Sequence, residues 1–157
     1  MRHWRDKIAD AQTVRRRTAG KRLVWTNGCF DLFHRGHADL LWSARALGDV
    51  LVVGINSDDS VRINKGPRRP ILGQEDRACT VASLECVDFV VVFDWVTPEA
   101  ELRALSPEVL VKGGDWEGKK VAGSEYAGRL VFLPLTDGRS STGIIKQIQT
   151  RQNSGVL

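Results

Sequence analysis

The chain has 157 residues, 42% of them hydrophobic, with a formal net charge of +4 and a pI near 9.2. That suits one domain with an ordinary buried core, needing neither disulfides nor a structural metal, and no run approaches the ~20 apolar residues of a membrane span. The excess of Lys and Arg favours anionic partners, but a small phosphorylated ligand satisfies it as well as nucleic acid does.

The opening MRHWRDKIAD lacks the apolar region of a signal peptide. Cys29, Cys79 and Cys86 are odd in number and form no CxxC pair, so free thiols and a cytoplasmic location are expected. Trp4, Ile8 and Ala11 at helical spacing predict an amphipathic surface helix ending near Gly20, an extension over 1–20 ahead of a domain over 21–157. Arg15, Arg16 and Arg17 read as a solvated face, because no second basic run or interleaved aromatics build a nucleic-acid groove.

Short apolar runs follow: LVWTN at 23–27, VLVVGI at 50–55, FVVVF at 89–93, VLVK at 109–112 and LVFLPL at 130–135. Near-continuous Val, Leu and Ile without polar alternation is the pattern of strands covered on both faces. Helices are expected over 37–47, over 74–85, over 97–105 opened by Thr97-Pro98, and from about 141, where Ile144, Ile145 and Ile148 would be buried. The expectation is a single doubly wound α/β domain with a five-stranded parallel sheet, with no repeat or low-complexity linker.

In such folds ligands bind at the carboxyl ends of the strands, where the strand order reverses. The first strand runs out as TNGCFDLFHRGH over 26–37 and opens into a helix. A helix N-terminus is a natural phosphate seat. His34 and His37, three apart, can both face it, and Gly28 and Gly36 leave backbone bare for a close approach. HxxH as half of a metal site lacks further ligands, since the remaining histidine is His3, so no protein metal site is expected. GxxxxGK[ST] and GxGxxG are both missing, which argues against P-loop kinases and dinucleotide dehydrogenases. Cys29 lacks a partnered base and reads as packing.

The segment TNGCFDLFHRGH resembles the HxGH motif of the cytidylyltransferase-like nucleotidyltransferases. NSDDSVRINKGPRRPI, EDRACTVASLECVDFVVVF, LVKGGDWEGKKVAGSEY and DGRSSTGIIKQI are similar, in order, to blocks of the heptose 1-phosphate adenylyltransferases, covering about 21–150. The resemblance implies a Rossmann-like nucleotidyltransferase fold and an enzyme that releases pyrophosphate. His34 and His37 would stabilise charge on the α-phosphate as donors rather than bases. A sugar 1-phosphate, with a second pKa near ~6, is already a competent nucleophile at neutral pH.

By the same resemblance Lys65 joins the two histidines in catalysis. Lys65, Arg68 and Arg69 are read in a Gly-Pro loop, with Arg77 opening the next helix, and Lys65 and Arg77 are preferred as phosphate ligands. Nucleotide contacts are expected from Thr26, Asn27, Gly28, Phe30, Gly36, Arg77, from Lys112, Gly113 and Asp115 of KGGD, and from Ser140, Ser141 and Thr142. Ser141 doubles as a helix cap in this reading. Acceptor contacts are expected from Asp31, an orienting hydrogen-bond acceptor rather than a catalyst, and from Asn56 and Arg69. ATP would be co-substrate, with Mg²⁺ bound through its phosphates.

Two substrate readings share this chemistry. Glycerol 3-phosphate cytidylyltransferases, which use CTP, carry a block resembling PRTEGISTT where this chain has PLTDGRSST, so Leu135 stands in place of an arginine. VAGSEY at 121–126 is similar to the heptose enzymes, whereas DWEGK at 115–119 is shared with the cytidylyl group. ADP-heptose formation is therefore favoured, by a free-standing adenylyltransferase whose substrate a separate kinase and phosphatase would supply. A homodimer is expected, with no nucleic-acid or membrane partner. A non-catalytic nucleotide- or nucleic-acid-binding protein on this fold is disfavoured by the intact His34, His37 and Ser-Ser-Thr.

Overall fold

A computed structural model describes residues 3–155. The first two residues of the expected N-terminal extension and the last two of the expected domain lie outside the described residues. The five strands are β1 (Leu23–Gly28), β2 (Val50–Asn56), β3 (Phe89–Phe93), β4 (Val109–Gly113) and β5 (Arg129–Leu133). They form one all-parallel sheet in the order β3-β2-β1-β4-β5. Chain order reverses at the β1/β4 pair, which aligns Val24 with Val109 and Thr26 with Val111. The carboxyl ends of these two strands therefore open the crevice where this architecture binds ligands.

The apolar runs serve two cores, because side chains alternate across a strand. Val24, Leu51, Val53, Ile55, Val90 and Val111 face one side, under α3 (Arg35–Arg45) and α5 (Gln74–Ala82). Leu23, Trp25, Val50, Val52, Phe89 and Leu110 face the other, under α2 (Ala11–Arg17) and α6 (Glu99–Leu105). Each fully buried Val, Leu or Ile contributes about 1.5–3 kcal/mol relative to exposure. Gly54 leaves room for the Trp25 ring, since a Cβ there would overlap the indole.

Three sequence expectations are corrected. The N-terminal surface helix is two short helices, α1 (Trp4–Lys7) and α2, broken at Ile8–Asp10. Ile8 bridges to Val90 on the edge strand, the Ala9 N–H donates to the Val90 carbonyl at 3.0 Å, and Asp10 caps α2 through Thr13. Trp4 and Ile8 pack on one core and the wholly buried Val14 enters the other, so this segment closes the β3 edge. Arg15, Arg16 and Arg17 do lie exposed, as the solvated-face reading requires.

Lys65, read in a Gly-Pro loop after β2 with Arg68 and Arg69, is instead the last residue of α4 (Asp58–Lys65). Ser57 caps it by accepting from the Ser60 N–H, and Asp58 and Asp59 sit in its first turn, where the helix dipole favours negative charge. Lastly, α7 (Ser141–Asn153) buries no residue: Ile144 and Ile145 are half-buried and Ile148 is 48% exposed. No helix among the described residues is long and apolar enough to cross a membrane.

Candidate active site

The turn between β1 and α3 sets the site. Phe30 and Leu32 have φ of 51° and 49°, a left-handed conformation that costs a side-chain-bearing residue on the order of 1–3 kcal/mol and persists only when its surroundings fix it. The Phe30 ring covers Gly28, where a Cβ would lie 3.3 Å from it, and meets the His37 ring at 5.2 Å. Phe33 approaches His37 at 5.3 Å.

His34 occupies the N-cap position of α3, and its ring stacks on His37 with centroids 3.8 Å apart and planes 18° apart. Gly36 makes this possible: a Cβ there would sit 3.1 Å from the His34 ring and 3.4 Å from Arg139 Cβ. The Nδ1 atoms of both histidines are buried without a protein hydrogen-bond partner. Burial, then the neighbouring His34 and Lys65, pushes His37 down to about 4 against the pull of Asp31. Burial and Arg139 also lower His34. Both rings are therefore neutral donors at pH 7.

They line a cavity of about 570 Å³ together with Lys65, Arg69, Asp115, Arg139 and residues 140–142. Lys65, the last residue of α4, is exposed to this space. Ser140 caps α7 by accepting from the Gly143 N–H at 3.0 Å. The cap is thus Ser140 rather than Ser141, whose hydroxyl donates to the Asp31 carbonyl. Thr142 lines the cavity and is exposed.

Asp31 and Arg77 are each held in a network of protein hydrogen bonds. The Asp31 carboxylate is buried and accepts from Arg69 Nε at 2.9 Å, Ile71 N at 2.9 Å and Leu72 N at 3.0 Å. Burial alone would raise this carboxyl, but those N–H groups and the Arg69 guanidinium outweigh it and hold it below the ordinary value. Asp31 therefore orients the loop that carries Arg69. Arg77 is wholly buried, donating to the carbonyls of Leu72 and Cys29 and pairing with Asp58 at 2.7 Å. With all three nitrogens engaged, it fastens loops.

At the end of β4, Lys112 is buried, donates to Asn27 Oδ1 at 2.7 Å and lies 5.0 Å from the Trp116 ring centre. Burial pulls it down to about 8, with Asp115 opposing. Thr26, Asn27, Gly28, Phe30, Gly113 and Asp115 meet around a smaller cavity of about 220 Å³, together with His37 and Lys65. The buried Thr26 hydroxyl has no partner there. Asn56 is turned toward a third space, its side-chain N–H on Ser60 at 2.9 Å. Sequence reasoning missed Arg139, within the quoted DGRSST block, and Trp116, within KGGDW; their adjacency to singled-out residues was the available signal. No group of three or more His, Cys, Asp or Glu that could hold a metal occurs among the described residues.

A family model described as cytidylyltransferase-like matches residues 25–146. The chain is 53% identical over 138 residues to the bifunctional protein HldE of Geotalea uraniireducens, covering 85% of this chain and 28% of that protein. Identity to the protein of the same name from Syntrophotalea carbinolica is 48% over 155 residues, covering 96% of this chain and 31% of that protein. The chain thus spans under a third of the length of these relatives. Among solved structures, the lipopolysaccharide core biosynthesis protein of Thermoplasma volcanium superposes with a TM-score of 0.62 at 24% identity, over 75% of this chain and 100% of that one. The pantoate-beta-alanine ligase of Francisella tularensis gives 0.56 at 14% identity, over 86% of this chain and 68% of that one. These two likenesses concern the fold.

Proposed function

The chain belongs to the cytidylyltransferase-like family, and on that premise we propose that it transfers AMP from ATP to D-glycero-D-manno-heptose 1-phosphate, giving ADP-heptose and pyrophosphate. The observation that carries the reaction class is the stacked, neutral His34–His37 pair at the start of α3, facing Lys65, Arg139 and the first turn of α7 across one cavity. The heptose is supported by the ordered blocks resembling heptose 1-phosphate adenylyltransferases and by identity near one half to proteins named HldE.

In this reading the triphosphate lies between α3 and α7. An oxygen of the acceptor phosphate forms a bond to the α-phosphorus as the bond from that phosphorus to the β-bridging oxygen breaks. The electron pair leaves with pyrophosphate, and no proton need be removed from the dianionic nucleophile. His34 and His37 donate to oxygens on which negative charge grows, and Lys65 and Arg139 neutralise it. Asp31 is engaged by Arg69 and two backbone N–H groups, and no carboxylate cage is present among the described residues. Mg²⁺ would be held through the triphosphate oxygens, where it would supply neutralising charge. The reading extends to a homodimer, checked by sedimentation equilibrium: twice the chain mass is expected, and the mass of one chain would contradict it.

Pyrophosphate release with ATP, CTP and GTP, each against heptose 1-phosphate and glycerol 3-phosphate, tests the assignment. Turnover confined to ATP with the heptose is expected. Turnover of CTP with glycerol 3-phosphate would leave the reaction class standing and overturn the substrates.

A further inference from the structure

Resting on the nucleotidyl-transfer reading, the geometry points to a separate pocket on the far side of Lys65 as the seat of a pyranose 1-phosphate acceptor, recognised by Asn27, Asn56, Asn64, Trp116 and Lys120. This pocket, about 590 Å³, opens at the carboxyl ends of β1, β2 and β4. Its size is that of a small-ligand site. The sequence reading assigned the acceptor to Asp31, Asn56 and Arg69; of these only Asn56 lines it, while the Asp31–Arg69 pair lies on the other side.

The 3₁₀ turn Gly114–Trp116 divides the two spaces. Asp115 lines the cavity of the histidines and not this one, whereas its neighbour Trp116 lines this one and not that. Lys65 borders both, and the small cavity it shares with His37 and Lys112 joins them. A group held in the second pocket can therefore present its phosphate at Lys65 beside His37.

The lining chemistry selects the ligand. Asn27 gives its Oδ1 to Lys112, which leaves its amide N–H groups as donors. Asn56 places an N–H on Ser60, which leaves its Oδ1 as acceptor. Asn64 adds a third, exposed carboxamide. Paired donors and acceptors suit vicinal hydroxyls, which both give and take hydrogen bonds. The half-exposed Trp116 ring supplies an apolar face for the C–H groups of a sugar ring. Lys65, Lys112 and Lys120 line the pocket and no Asp or Glu does, so an anion meets no like charge.

The test follows the full chain by NMR, ¹⁵N-labelled, titrated separately with heptose 1-phosphate, mannose 1-phosphate and, with no acceptor present, the ATP analogue AMPPNP. The sugar phosphates should shift the Trp116 indole and the side-chain amides of Asn27, Asn56 and Asn64, while AMPPNP shifts His34, Arg139 and Ser141. Trp116→Ala and Lys120→Ala should each weaken the sugar phosphate by about tenfold or more and AMPPNP by less than about twofold. Their amide spectra report folding, and Trp116→Phe should restore most of the affinity. Movement of Trp116 by AMPPNP instead, equal weakening of both ligands, or no response of Trp116 to either sugar phosphate overturns the assignment. Binding of mannose 1-phosphate but not of the heptose would overturn the heptose reading and leave this pocket standing.

Discussion

In the proposed reaction His37 concentrates the chemistry in one side chain. Its ring is held by Phe30, Phe33 and His34, and none of its protein contacts is a hydrogen bond to Nδ1. Removing a donor to developing charge lowers turnover by about 10²–10³-fold, so His37→Ala should do this while circular dichroism remains unchanged; normal turnover would remove it from catalysis. The same residue fixes a pH dependence of stability. The unfolded chain protonates this histidine near 6.5 and the folded chain near 4, so between these values the unfolded state binds more protons. The contribution is complete above pH 6.5 and is lost as pH falls toward 4. Denaturant unfolding from pH 7 to 4.5 should therefore show a flatter decline for His37→Gln than for the parent chain; identical slopes would contradict the buried neutral ring.

Among the elements, the loops around the site are held by two buried pairs that are easily mistaken for ligands. Arg77 ties α5 to the Asp58 end of α4 and to the Cys29 carbonyl. Breaking a buried pair typically costs about 3–5 kcal/mol, so Arg77→Met should lower the melting temperature markedly, and Arg77→Lys should rescue little because it lacks the fork of donors. A melting point within a degree or two of the parent would restore Arg77 to the phosphates. All five strands and the His34–His37 site were legible in the sequence, because apolar runs and a Gly-flanked His pair announce themselves locally. Burial of Arg77 and the inward turn of Asp31 were not, since a charged residue beside a phosphate and one beside a buried carboxylate look alike in sequence. Helix α4 was hidden because Asp58, Asp59, Arg62, Asn64 and Lys65 are polar and give little apolar periodicity, and Lys65 was read in a loop although Ser57 caps a helix that ends there. The broken N-terminal helix turned on the pairing of Ile8 with Val90, a contact 82 residues away that no local spacing encodes.

For the molecule as a whole, that N-terminal pairing makes residues 3–17 part of the fold rather than an appendage. They cover the β3 edge and contribute Val14 to a core. An exposed edge strand invites association between chains, so deletion of residues 1–17 should lower stability and promote aggregation, read by melting temperature and light scattering. A truncated chain as stable and monodisperse as the parent would show the segment to be dispensable. The sheet order reverses at β1/β4, and the stacked histidines, the β4 turn and the start of α7 all converge on that edge. In the proposed reaction the fold thus gathers the positive charge of distant segments around one transfer point at Lys65. The most direct measurement of that claim is pyrophosphate release by the purified chain with ATP and heptose 1-phosphate, in parallel with its Lys65→Ala variant. Release by the parent and its near-complete loss in the folded variant are predicted; equal rates in both, or no release from any NTP with any phosphorylated acceptor, would contradict it.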